Sequence, residues 1–272
     1  MKKFLLAMTA AAAFSGSAMA ADIASRPYTK APMPAPVASW TGCYISGGGG
    51  YGLFRVNRDE RVNGVATIAN TTAGGDGWLG TVGGGCDYQF NSRWVIGGFA
   101  DGTFSDIKGD AGVRVFGVGD AAVGQLKSDW SWAAGARVGY LVTPSVLTYF
   151  NAGYTQTHFT AQNLNGIFLP STFTGVQIPG QTFDGFFVGT GIEYAFDWLP
   201  GLFVRSEGRA AYYTRKDVNP TCVGAGTICA GPGAPGVIQA GSLDTDSRRP
   251  IVYTTKAELV YRFNWGGPSV KY

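Results

Sequence analysis

Residues 251–263 read Ile251-Val252-Tyr253-Thr254-Thr255-Lys256-Ala257-Glu258-Leu259-Val260-Tyr261-Arg262-Phe263, and alternate positions carry different chemistry. Ile251, Tyr253, Thr255, Ala257, Leu259, Tyr261 and Phe263 are apolar or aromatic apart from one threonine. Val252, Thr254, Lys256, Glu258, Val260 and Arg262, between them, are largely charged or polar. Successive strand side chains point to opposite faces, so the segment has one apolar and one charged face. In a soluble sandwich the apolar face would meet a second sheet. In a membrane barrel it meets lipid while the polar face lines the lumen. The same polarity recurs along the chain, which makes 251–263 the strand that closes a barrel.

Working back from that strand, seven others are expected. They lie at about 40–53 (Cys43, Ile45, Tyr51, Leu53 outward), 78–90 (Trp78, Val82, Tyr88, Phe90), 94–104 (Trp94, Ile96, Ala100, Phe104) and 130–140 (Trp130, Trp132, Val138, Tyr140). Three more follow at 146–157 (Phe150, Ala152, Tyr154), 185–196 (Phe186, Val188, Ile192, Tyr194) and 202–212 (Val204, Ala210, Tyr212). Phe99 falls inward and breaks the pattern. The joins alternate in length. Asn91-Ser92-Arg93, Leu141–Ser145 and Asp197–Gly201 are short, whereas 54–77, 105–129, 158–184 and 213–250 are long. Short periplasmic turns and long external loops, with an even strand number, are the pattern of an outer-membrane barrel. Aromatics at the strand ends (Trp40, Trp78, Trp94, Trp130, Tyr140, Tyr212, Tyr261, Phe263) suit two interfacial girdles. The fold class expected is therefore all-β, a transmembrane eight-stranded antiparallel up-and-down barrel.

Composition agrees. The chain has 272 residues, 42 of them glycine, and only 14% are charged; soluble domains average about 25% charge. Mean hydropathy is +0.05, as expected when only every second strand residue is apolar. No apolar run after the N-terminus is long enough for a helical span. The net charge of +3 falls to +1 once Lys2 and Lys3 are removed with the leader, which leaves no footprint for nucleic acid. Residues 1–20 have the basic start, short apolar run and Ala18-Met19-Ala20 site of a signal peptide, with cleavage between Ala20 and Ala21. Residues 21–39, with Pro27, Pro32, Pro34 and Pro36, read as a Pro-rich periplasmic linker, and 40–272 as the barrel.

The opening Trp40-Thr41-Gly42-Cys43-Tyr44-Ile45-Ser46-Gly47-Gly48, the segment Gly191–Phe196 and the ending Tyr261–Pro268 resemble the alphaproteobacterial outer-membrane immunogenic proteins, small porin-like members of the OmpA-type eight-stranded barrels. The resemblance implies an outer-membrane location, exposed loops and no catalytic residues. Cys43, Cys86 and Phe99 depart from it. With the barrel reading go lipid and lipopolysaccharide as surroundings, Phe263 as the terminal-strand signal for the barrel-assembly machinery, and contacts of the loops with host or neighbouring surface molecules.

The inward positions hold five acids (Asp87, Asp101, Glu193, Glu207, Glu258) and five bases (Arg137, Arg205, Arg209, Lys256, Arg262). Eight strands leave an interior that side chains nearly fill, so these charges read first as a compensated plug. A narrow path for ions or small solutes is the alternative. Cys43 and Cys86 fall opposite each other if strands one and two pair with a constant index sum, and Cys222 and Cys229 fit a local clasp. Neither pair has metal-site spacing. Gly47, Gly49 and Gly52 satisfy a dinucleotide-type glycine pattern, but no βαβ unit surrounds them, and no cofactor is expected. Serine or lipase chemistry needs a histidine base beside its nucleophile. The one histidine, His158, is expected as a solvated loop residue at the end of the fifth strand, so an enzyme is the weakest reading.

Overall fold

A computed structural model describes residues 39–62, 65–114, 121–166, 173–224 and 243–263. The signal segment with Ala20 and Ala21, most of the Pro-rich linker, Cys229 and residues 264–272 lie outside them. The described residues form twelve strands: β1 (Gly42–Val62), β2 (Val65–Gln89), β3 (Trp94–Arg114), β4 (Ala121–Thr143), β5 (Val146–Phe159), β6 (Gln162–Gly166), β7 (Phe173–Ile178), β8 (Gln181–Ala195), β9 (Leu202–Tyr213), β10 (Lys216–Val218), β11 (Thr221–Cys222) and β12 (Leu243–Phe263).

Eight of these close a ring. Antiparallel ladders run β1–β2–β3–β4–β5–β8–β9–β12, and β12 pairs back on β1 from Cys43↔Phe263 to Val62↔Leu243. Closure leaves the ring without a free edge, the condition for spanning lipid with strands. At the seam a Cβ on Gly48 or Gly50 would collide with the backbone of Ala257 or Thr255, so only glycine permits so tight a curve there. The fold is an eight-stranded antiparallel transmembrane barrel.

The outward face carries exposed Ile45, Tyr51, Leu53, Trp78, Val82 and Phe150 among many others, with Trp78 at 74% exposure. On β1 this apolar wall runs from Cys43 to Leu53. Ten strand steps of about 3.3 Å, tilted by about 40°, give about 25 Å, the height of a lipid-facing band. The lower end has tight turns. Asn91 Oδ1 accepts from the backbone N–H of Arg93 and Trp94 at 3.0 and 2.9 Å, and Gly201 takes a left-handed φ of +89°.

Two expectations need correction. The joins expected as long loops at 54–77 and 105–129 are mostly ladder: β1 and β2 stay paired from Gly42↔Asp87 to Val62↔Val65, and β3–β4 to Arg114↔Ala121. The reason is an inversion of polarity. Just above Leu53 the buried positions Phe54 and Val56 are apolar, while Arg55, Asn57 and Asp59 face outward. Apolar-in, polar-out is what a strand shows once it leaves lipid for water, so a search for apolar-out alternation stops too early. The second correction is Trp40. It belongs to no girdle: it is 1% exposed, its indole N–H donates to the Pro144 carbonyl at 3.0 Å, and its ring packs edge-on to Phe203.

Candidate functional site: the filled barrel interior

The interior is built in layers. At the short-turn end an apolar cluster contains Trp40, Tyr44, Val95, Leu147, Tyr149 and Phe203. Above it stand the ten inward charges. A second apolar cluster follows, with Phe54, Val56, Ile107, Leu126, Phe159 and Phe187 among its members. Phe99, the residue that broke the sequence pattern, packs against both apolar clusters.

The structure brings all ten predicted charges into one connected set. Glu193 on β8, 0% exposed, accepts from Arg137 Nη1 at 3.1 Å, Arg205 Nε at 3.0 Å and Arg262 Nη2 at 2.6 Å. Asp87 on β2 accepts from Arg137 Nε at 2.9 Å and Arg262 Nη1 at 2.6 Å. Three arginines and two carboxylates thus leave this lower group with one positive charge. The Tyr44 ring lies against all three guanidinium carbons, 4.8 Å from those of Arg137 and Arg205 and 5.0 Å from that of Arg262. Its negative face suits the excess cation.

The upper group has the opposite balance. Arg209 is bidentate to Asp101 at 3.1 and 2.7 Å and also donates to Glu207. Tyr149 Oη and Asn151 Nδ2 each donate to Glu207 Oε2 at 2.8 Å. Lys256 lies 3.5–3.6 Å from Asp101, Glu207 and Glu258. Two bases against three acids leave one negative charge, and Arg205–Glu258 at 3.5 Å joins the two groups into a neutral whole. Buried charges persist only when paired and hydrogen-bonded to this degree.

A further buried ionic cluster sits above the second apolar layer, and sequence reading missed it. Arg58 is bidentate to Asp246 at 3.1 and 2.6 Å, Arg248 Nε donates to Asp246 at 2.6 Å, and Arg248 Nη2 donates to Gln162 Oε1 at 2.9 Å. Glu60 adds a contact to Arg58 at 3.6 Å. These positions continue the inward parity of β1 and β12. Parity was the available signal, hidden because both segments read as loop. A third apolar cluster (Ala122, Leu164, Val176, Ile178, Val218) lies among β4, β6, β7 and β10.

Two cavities within this filling measure about 10 and 30 Å3. Both are the size of one or two water molecules. The larger is lined by Asp101, Thr155, Arg209, Tyr213 and Lys256 among others.

Cys43 and Cys86 are disulfide-bonded and directly opposed across β1 and β2, with Leu53↔Asp76 in the same register. Cys222 is also in a disulfide. His158 is corrected in place: it lies within β5, pairs with Trp130 in the β4–β5 ladder, stacks on that indole at 5.4 Å and contacts Asp129 at 2.6 Å. No group of three or more His, Cys, Asp or Glu among the described residues could hold a metal.

No family model matches the chain, and no curated protein matches it. Solved structures do. The outer-membrane protein OprG of Pseudomonas aeruginosa is 13% identical, with 83% of this chain and 99% of that one covered and a TM-score of 0.49. Neisserial surface protein A is 14% identical over 82% and 98%, at 0.35. The outer-membrane protease OmpT of Escherichia coli is 10% identical over 82% and 97%, at 0.42. Eight-stranded outer-membrane barrels are thus among the similar structures. At these identities and scores the fold assignment rests on the closed strand register.

Proposed function

We propose that this chain is an outer-membrane barrel that anchors in the envelope and presents a surface, without conducting and without catalysis. The observation that carries the reading is the layered interior, with two apolar layers enclosing a neutral ionic one in which two cavities measure only about 10 and 30 Å3. A continuous hydrated path would have to cross both apolar layers. Export is supported by the leader and its Ala20/Ala21 site, and the outer-membrane location by the apolar band and by the opening and closing motifs that resemble the outer-membrane immunogenic proteins. The partners are outer-membrane lipid and lipopolysaccharide around the wall, the barrel-assembly machinery acting on the Phe263 strand, and host or neighbouring molecules at the projecting hairpins. The ring of His158, the one histidine, stacks on the Trp130 indole and contacts the Asp129 carboxylate, which gives it a packing role within the β4–β5 ladder.

A second reading, a narrow porin, is favoured by one observation: both cavities are lined by the ionic residues, Asp101 and Lys256 among them. Single-channel recording of the refolded 21–272 chain in a planar bilayer decides between the two. The anchor reading expects no steady openings once insertion is shown. Steady openings whose size or ion selectivity changes in Arg209→Gln would establish the porin.

A further inference from the structure

Most described Lys and Arg side chains meet a carboxylate, or, for Arg93, the Tyr140 hydroxyl, and three exposed arginines do not. The three are Arg55, Arg61 and Arg249, all exposed and all on the neighbouring strands β1 and β12. None has an ion pair among the described residues. Arg61 stands six residues beyond Arg55, about 20 Å along the strand. Arg55 and Arg249 are close neighbours. Arg55 pairs with Ile251 and Asn57 with Arg249, which makes the two arginines diagonal partners on one face. Their Cβ atoms are then about 7–8 Å apart, within the reach of two long side chains converging on one group.

Their height along the barrel matters as much as their pairing. Leu53 and Ile251 end the lipid-facing wall on these two strands, and Arg55 and Arg249 are the next outward positions. Asp59 and the exposed Asp217, both opposite Ser247, stand one step above Arg249 on the side away from lipid, and several other charges around the rim are answered. Asp76 accepts from Tyr51, Asp106 meets Lys108 and Lys127 at 2.9 and 2.8 Å, Asp129 meets His158, and Asp184 meets Lys216 at 2.8 Å. The hydrogen bond from Lys127 holds the Asp106 carboxyl below the usual range, and that from Lys216 does the same for Asp184. Arg215, the nearest other cation on this side, is already taken by Asp59.

Two like charges left side by side at a membrane interface repel unless an anion lies between them. From these observations we infer that Arg55 and Arg249 form a binding site for the phosphate of an outer-leaflet lipid headgroup. Guanidinium forks match phosphate oxygens in pairs, and the acyl chains of such a lipid would run down the exposed Leu53, Tyr51 and Tyr253 directly below. A free phosphate would use the same forks but gain nothing from that apolar wall. The site rests on the reading of the chain as an outer-membrane barrel.

The test uses the refolded 21–272 chain in phosphatidylcholine nanodiscs doped with bis-phosphorylated lipid A or with the same glycolipid stripped of phosphate. Native mass spectrometry reads the glycolipid retained. The wild type is expected to prefer the phosphorylated form by about tenfold or more, the double variant Arg55→Gln/Arg249→Gln to lose that preference, and Arg93→Gln at the opposite end to keep it. Both arginines are exposed and unpaired, so folding should survive, which heat-shift electrophoresis checks. The single variant Arg249→Gln, with a partial loss of preference, decides the matter if the double variant does not fold. Equal retention of the two glycolipids, or a double variant as selective as the wild type, overturns the site. Inorganic phosphate binding as tightly as the lipid also overturns it, since the site would then be one for the free anion. A conducting barrel that still prefers the phosphorylated lipid would remove the closed-anchor reading and leave the site standing. A silent barrel without preference would remove the site alone.

Discussion

Arg205 on β9 meets Glu258 on β12 at 3.5 Å, and among the described residues this is the one ion pair joining the lower, cationic group to the upper, anionic one. Arg205→Ala would leave Glu258 with only Lys256, at 3.6 Å, and take one of three cations from Glu193. Breaking a buried pair from one side costs about 3–5 kcal/mol, because the remaining charge stays buried. Lys108, exposed and paired only at the surface, should cost less than about 1 kcal/mol on replacement by alanine. Urea titrations of the two variants in the same detergent are expected to differ accordingly. Equal midpoints would mean the interior charges are solvated and the plug is loose.

Trp40 closes the lower mouth, where its ring lies 5.0 Å from Phe203 and 5.2 Å from the guanidinium carbon of Arg262. Arg262 Nη1 also donates to the Trp40 carbonyl at 3.2 Å. A tryptophan so placed is screened from lipid, whereas Trp78 and Trp94 face it. In single-tryptophan variants, brominated acyl chains should quench Trp78 and Trp94 strongly and Trp40 hardly at all. Trp40→Ala should cost about 3–5 kcal/mol as a large cavity-forming change. Quenching of Trp40 to the level of Trp78 would place it back in the interfacial girdle.

Most of the ring was legible because lipid imposes a stricter pattern than water. Within the band, every outward position assigned from alternation on β12, from Tyr253 to Phe263, is exposed, and Lys256, Glu258 and Arg262 are buried. Cys43 and Cys86 could be paired because one constant index sum governs an uninterrupted antiparallel ladder. What sequence did not reveal lies where that rule ends. Phe99 points inward and breaks the alternating pattern, yet it packs against both apolar layers that seal the charges. His158 looked like a loop residue because β5 has the weakest alternation, and Trp40 looked interfacial because tryptophan usually is. Neither identity nor period tells a mouth-closing indole from a girdle one; only the parity of position 40 with Tyr44 does.

The same boundary yields a prediction about the projecting hairpin. If β1 and β2 continue as a ladder beyond lipid, the backbone amides of residues 54–60 are bonded to strands on either side, β2 and β12. Their burial is anchored by Phe54 and Val56 inside and by the Arg58–Asp246 pair above them. Exchange would then require opening of the barrel wall itself, so these amides should be protected nearly as well as those of residues 44–52. A flexible loop would exchange at the rate of an unstructured peptide. Hydrogen–deuterium exchange of the protein in micelles measures this directly. Arg58→Ala should raise exchange in residues 54–60 and 245–249 together while leaving 44–52 unchanged, because Arg58 is bidentate to Asp246 across the β1–β12 seam. Fast exchange over 54–60 in the wild type would return that stretch to a loop, and with it the height at which Arg55 stands above the membrane.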